Sequence, residues 1–193
     1  MTVAVQYLGV ASAAVTLPVV PSMAGLFTAN SSGTGQASIV NQDGTTNSSS
    51  NAAALGSTAT LYGTGMGAAS AQVSDGTVPQ NTSVQPALPV SVTIDSIPAQ
   101  VVSAYAAPGM LGVLVVNVQV PASAHGGAAI PIAVQVGTSQ SQQGTTMATH
   151  YLPLIFTAKS AATTRINRRR TRRRDWRGRV RGTSRSWLIA ATF

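Results

Sequence analysis

Two β-branched stretches cut by glycine and proline restrict this chain more than any other feature. Gly56–Gly67, GSTATLYGTGMG, alternates Thr58, Thr60 and Tyr62 against Ala59 and Leu61, then breaks into Gly63, Gly65 and Gly67. Strand side chains point to opposite faces with a period of two, so this pattern predicts a strand entering a glycine turn or bulge. Pro89–Pro121 holds the densest β-branched runs, interrupted at Pro98, Pro108-Gly109 and Pro121. Short strands separated by such breaks predict a β-sandwich. Helix formers are scarce, since Glu is absent and Lys occurs only at Lys159. Exposed helix faces need such long polar side chains, so the composition favours an all-β chain.

Charge divides the chain in two. All twelve Lys and Arg residues lie at or beyond Lys159, whereas residues 1–158 carry only Asp43, Asp75 and Asp95. The net charge of +8 and the pI of about 11.4 therefore describe residues 159–193 and say nothing of the body. Cysteine is absent, which removes disulfides and thiolate metal sites and leaves the redox compartment unmarked.

Taken in order, residues 1–20 (MTVAVQYLGVASAAVTLPVV) have the apolar look of a signal peptide without its positive n-region. A different reading comes from an internal likeness. Val3-Ala4-Val5-Gln6, followed by Tyr7–Ser12, resembles Ile132-Ala133-Val134-Gln135, followed by Val136–Ser139. Both read as strand, glycine turn, serine, strand, so residues 1–20 are expected to be the remnant hairpin of a preceding β domain. Residues 21–35 read as a linker with one aromatic anchor, Phe27. The sandwich is expected over residues 36–158, with strands near Gln36–Val40, Thr45–Ser49, Ser57–Tyr62, Val90–Ile94, Ala99–Ala104, Val113–Val120, Ile130–Val136 and Thr145–Thr149. Tyr151–Phe156 would extend the last strand. Asp43-Gly44 predicts a tight type I′ turn, and Ala68–Leu88 a long loop crossing between sheets. No helix longer than a turn is expected.

The chemistry on offer is thin. Gly63-x-Gly65-x-Gly67 has neither the spacing nor the following helix and acid of a dinucleotide fingerprint, and no Walker-type lysine is present. His125 and His150 lack Glu, Cys or clustered Asp beside them, so they read as turn or solvent histidines rather than metal ligands. No serine sits in a G-x-S-x-G elbow, and no paired carboxylates exist for glycosidic chemistry. Asp43 with Asn41 and Asn47 lacks the ligand density of a calcium loop. Asn30, Asn47 and Asn81 begin glycosylation sequons, which matter only in a host that modifies them. Asn117, inside the apolar Val113–Val120 run, reads as an outward-facing or backbone-bonded polar residue. Tyr62, Tyr105 and Tyr151 read as too scattered for a sugar-binding face. The expectation is a protein without catalytic residues, cofactor or metal.

Residues 159–193 carry the other strong signal. Arg168, Arg169, Arg170, Arg172, Arg173 and Arg174, with Trp176 beside them, would neutralise phosphates and stack on bases in a disordered nucleic-acid-binding arm. The plainer reading is text from a shifted reading frame in GC-rich DNA, because the segment shares no composition with the body. Either way it buries too little apolar surface to fold alone, apart from a short apolar end at Trp187–Phe193.

From Val19 to about Ala158 the chain resembles the acidobacterial (Solibacter-type) uncharacterised C-terminal domain family. The likeness is carried by Gly25-Leu26-Phe27, Gly33-Thr34-Gly35-Gln36-Ala37, Asn41-Gln42-Asp43-Gly44, Leu61-Tyr62-Gly63-Thr64-Gly65-Met66-Gly67, Leu88-Pro89-Val90-Ser91-Val92-Thr93-Ile94, Ala107-Pro108-Gly109 and Val116-Asn117-Val118. Gly56–Gly67 and Val90–Gly137 are also similar, more loosely, to IPT/TIG immunoglobulin-like domains. The resemblance implies an immunoglobulin-like β-sandwich at the end of a long secreted or cell-surface bacterial protein, with no activity or catalytic residues attached to the family. Its expected partners are neighbouring domains of a parent protein or surface macromolecules, with nucleic acid reached only through the arginine segment and no membrane span. That segment is foreign to the family pattern, as is the absence of upstream domains and signal peptide.

Overall fold

The computed structural model describes residues 1–74 and 76–151. They form an all-β unit with no helix among the described residues. The strands are β1 Thr2–Val3, β2 Gln6–Tyr7, β3 Val10–Ala11, β4 Val15–Thr16, β5 Gly25–Leu26, β6 Gly35–Gln36, β7 Ile39–Asn41, β8 Ala53–Ala54, β9 Thr58–Thr64, β10 Val90–Ile94, β11 Ile97–Ala106, β12 Leu114–Gln119, β13 Gly127–Val136, β14 Ser139–Gln140 and β15 Thr145–His150. Eleven of them join one curled sheet in the order β5-β9-β12-β11-β10-β13-β15-β6, with β7 on β9, β14 on β13 and β8 on β15.

Two long strands produce the curl. β11 pairs with β10 over Ile97–Ala99, then with β12 from Gln100 onward, and its register slips between Val101 and Ser103. A bulge bends a strand and adds twist, so β11 turns the sheet where it changes partners. β13 does the same on the other side, pairing with β10 over Ile132–Val136 and with β15 near Gly127–Pro131. Inward side chains from both arms form one buried cluster, among them Leu61, Val116 and Val118 from one arm and Val92, Ile94, Val134, Val136 and Met147 from the other.

Several expectations shift. The strand starting at Val90 ends at Ile94 as the alternation predicts, but Pro98 lies inside β11 instead of breaking it. Ile94 and Ile97 flank a two-residue turn, so Pro98 sits one step along the ladder, opposite Thr93, where antiparallel pairs alternate to the non-hydrogen-bonded kind. That turn, Asp95-Ser96, has both residues at positive φ, 57° and 61°. At Asn41–Gly44, by contrast, only Gly44 has positive φ. Gly44 N–H donates to Asn41 O (2.9 Å) and Asn41 N–H to Thr45 O (2.8 Å). The expected type I′ turn is therefore corrected to a type I turn closed by a left-handed glycine. Thr45–Ser49 contributes isolated bridges at Thr46 and Ser48, not a strand.

Residues 21–35 are corrected from linker to sheet. β5 pairs with β9 through Gly25↔Thr64 and Leu26↔Gly63, and Ser22, Ala24 and Leu26 are buried. Phe27, the expected anchor, faces the other way and is 40% exposed. Side chains tie this segment to the far arm: Ser22 Oγ donates to Val136 O (2.7 Å), Ala24 N–H to Ser139 Oγ (3.1 Å) and Leu26 N–H to Gln142 Oε1 (3.0 Å). Gln142 Nε2 returns a bond to Leu26 O. Residues 1–20 form two nested antiparallel pairs, β1 with β4 and β2 with β3, outside the main sheet.

Candidate functional site

The glycine rhythm at the end of β9 resolves first. A Cβ on Gly63 would strike Gly25 O, one on Gly65 would strike Met23 O, and one on Gly67 would strike Pro21 O. Met23 N–H donates to Gly65 O at 3.2 Å. These glycines let the Pro21–Gly25 backbone cross against β9, and β9 runs through Gly63 to Thr64 instead of turning there.

The outer face of β5-β9-β12-β11 is the best candidate surface. Val115 pairs with Tyr62 on β9 and with Tyr105 on β11. It lies outside the core cluster yet is only 4% exposed, so side chains on its own face cover it; its cross-strand neighbours are the two tyrosines. Phe27 extends the row, since its N–H donates to Tyr62 O at 3.0 Å. One step along the strands, Asn117 stands between Thr60 and Ser103. Thr60 Oγ1 donates to Asn117 Oδ1 (2.7 Å), and Asn117 Nδ2 donates to Ser103 Oγ (2.9 Å) and Tyr105 Oη (3.4 Å). The Tyr105 hydroxyl therefore reaches sideways to a neighbouring strand, and its ring leans along the sheet. Asn117 faces outward, as the sequence suggested, and is bonded through its side chain in a polar row. Tyr62 and Tyr105, read from sequence as scattered, share one face. Tyr151 lies at the other end of the chain's sheet path, after β15.

The remaining candidates serve the fold. Asp95 Oδ2 accepts from His125 N–H (2.9 Å) and lies 2.5 Å from His125 Nδ1. The His125 backbone N–H, then its side chain, hold the Asp95 carboxyl below the usual carboxylate range. This pair fastens the turn before β13 to the β10–β11 turn, and the His125 side chain is 79% exposed. His150 Nδ1 meets Ala52 O at 2.9 Å. Asp43 caps its own turn through Thr45 N–H (3.0 Å) and Thr45 Oγ1 (2.5 Å), and these bonds lower its pKa. Asn41 and Asn47, weighed with Asp43 for calcium, are buried and bonded to each other, Asn47 Nδ2 donating to Asn41 Oδ1 at 2.9 Å. Asn47 is 1% exposed, so its sequon is closed to modification, whereas Asn30 and Asn81 are exposed.

Among the described residues no group of three or more His, Cys, Asp or Glu side chains could hold a metal ion. No helix among them is long and apolar enough to cross a membrane. An open groove of about 640 Å³ lies under the Ala68–Leu88 loop, with Met66, Val84 and Leu111 among its walls beside Gln72, Ser74 and Thr77. Arg168, Arg169, Arg170, Arg172, Arg173, Arg174 and Trp176 lie outside the described residues. In comparisons with known proteins no family model matches the chain, and no curated protein or solved structure matches it.

Proposed function

We propose that this chain is a non-catalytic structural and adhesion module of a secreted or cell-surface bacterial protein, its curled sheet packing as an immunoglobulin-like, IPT/TIG-like sandwich. The family likeness in the residues suggests the location and the multi-domain setting. The observation that carries the adhesion reading is the outer face of β5-β9-β12-β11, where Phe27, Tyr62 and Tyr105 make an uncharged aromatic row beside the Thr60–Asn117–Ser103 row. Aromatic side chains supply contact area at low entropy cost and dominate recognition surfaces. An uncharged face suits neutral surface macromolecules better than phosphate.

The test uses beads coated with the full chain and flowed over immobilised bacterial envelopes. Wild-type beads are expected to be retained, and Y62S/Y105S beads to be lost with at least a tenfold drop in retention. Equal retention of both, or hydrolase or transferase turnover by the wild-type chain, contradicts the proposal. The second reading, nucleic-acid binding through residues 159–193, rests on the arginine run alone. It requires DNA retention that vanishes on deleting that segment and falls steeply with salt.

A further inference from the structure

The N-terminal hairpin repeats the inner bonds and register of a hairpin inside the main sheet. Val5 N–H donates to Ser12 Oγ at 3.1 Å, and Ser12 N–H returns to Val5 O at 2.8 Å. Val134 N–H donates to Ser141 Oγ at 3.1 Å, and Ser141 N–H returns to Val134 O at 2.8 Å. Each pair is separated by seven residues, and each valine stands in an Ala-Val-Gln triplet. The register beyond is also shared: Gln6↔Ala11 and Tyr7↔Val10 match Gln135↔Gln140 and Val136↔Ser139. Both hairpins close through a two-residue turn with positive φ, at Leu8-Gly9 and at Gly137. The turn and the outer ladder differ: Leu8 and Gly9 both have positive φ where only Gly137 does in the second turn, and β1–β4 is one residue out of step with β13–β15.

Their surroundings are opposite. Ile132, Val134 and Val136 are buried, and the other edge of β13 is paired with β10 from Val90↔Val136 to Ile94↔Ile132. Their counterparts Val3, Val5 and Tyr7 are exposed, Val5 by 68% and Tyr7 by 75%. A two-stranded hairpin with a bare apolar face is marginal by itself, and its open edge is a template for another strand. The main module also begins where the hairpin ends: Ser22 Oγ bonds Val136 O, so the start of this module is fastened to its own closing hairpin.

We infer that Met1–Val20 is the closing hairpin of a preceding copy of this same module, and that the edge from Val3 to Tyr7 takes an antiparallel strand of the β10 type, Val-Ser-Val-Thr-Ile. The occupant is thus a homologous neighbouring domain in the same polypeptide, with modules repeating roughly every 130 residues. The inference rests on the modular part of the proposal above and not on what the outer face binds, so adhesion can fail without touching it.

The test is a tandem chain in which Ser22–Ala129 are placed directly ahead of Met1 of the full sequence, supplying the missing arms. Exchange of the amides in residues 2–8 is read by mass spectrometry in the tandem and in the unextended chain. A second tandem carries Y7V/L8G, which restores the Val136-Gly137 pair in case Tyr7 is too large for the borrowed core. Slowing by about 100-fold or more in either tandem supports the inference, because edge strands gain protection only when paired and packed. Labile amides in both tandems overturn it. So does concentration-dependent protection in the unextended chain, which would make a second copy the occupant.

Discussion

At the scale of single residues, Asn47 carries more than any neighbour in the first half of the sheet. Its Nδ2 donates to Asn41 Oδ1 and Ala148 O, and its Oδ1 accepts from Ala148 N–H and Gln36 Nε2 at 2.8 Å each. It mimics a strand residue by pairing both ways with the Ala148 backbone. Asn47→Ala leaves those groups without partners inside the core and is expected to cost about 3 kcal/mol, read from urea unfolding; a loss under about 0.5 kcal/mol would show the bonds to be unimportant. In the sequence Asn47 appears only as a sequon and a weak calcium ligand, because nothing local marks which asparagine is buried. Asp95 makes a pH prediction. Its folded pKa lies below the ordinary 3.8, so it adds stability that is present above that value and lost as pH falls through the folded one. Asp95→Asn is therefore expected to lower the urea midpoint at neutral pH, with the gap from wild type closing as pH falls below 3.8 and through the folded pKa. A gap that is constant across that range contradicts the ion's role.

At the scale of elements, strands were legible wherever alternation and turn residues agreed. Val90–Ile94 coincides with its strand, and Ser57–Tyr62, Ala99–Ala104, Val113–Val120, Ile130–Val136 and Thr145–Thr149 lie on strands with ends shifted by a few residues. Two things were not legible. Proline at position 98 reads as a break unless the ladder's hydrogen-bonding parity is known. Gly63, Gly65 and Gly67 read as a turn because the backbone they admit, Pro21–Gly25, is remote in sequence. Gly65→Ala tests that crossing. Gly65 has φ +79° and its Cβ would meet Met23 O, so both strain and clash oppose the substitution. The expected cost is at least about 2 kcal/mol, measured by denaturation, whereas alanine at the open Gly76 position, also at positive φ, should cost only about 1 kcal/mol. Equal costs would mean that no close approach exists.

At the scale of the whole unit, the organisation follows from where strands change partners. β11 serves two neighbours and β13 three, and the sheet they bend buries Leu61, Val116, Val92 and Val134 in one cluster. The sequence shows the strands but not their exchange of partners, since a bulge at Val101/Ser103 leaves no composition behind it. Likewise Pro21–Gly35, rich in Gly, Ser and Thr, reads as a linker. Its few apolar residues, Ala24 and Leu26, are nonetheless placed in the core by β9 and Gln142. The outer face was missed for the same reason: Phe27, Tyr62 and Tyr105 converge only once three separate strands are aligned.

The most direct check on the curled sheet is residue-resolved amide exchange of the native chain. Leu26, held between β9 and Gln142, is expected to exchange in the same slow class as Leu61, Val116 and Val134. In Gln142→Ala, Leu26 alone should accelerate. If Ser22–Leu26 exchange at coil rates while the other strands stay protected, the seam does not exist and the sheet is organised otherwise.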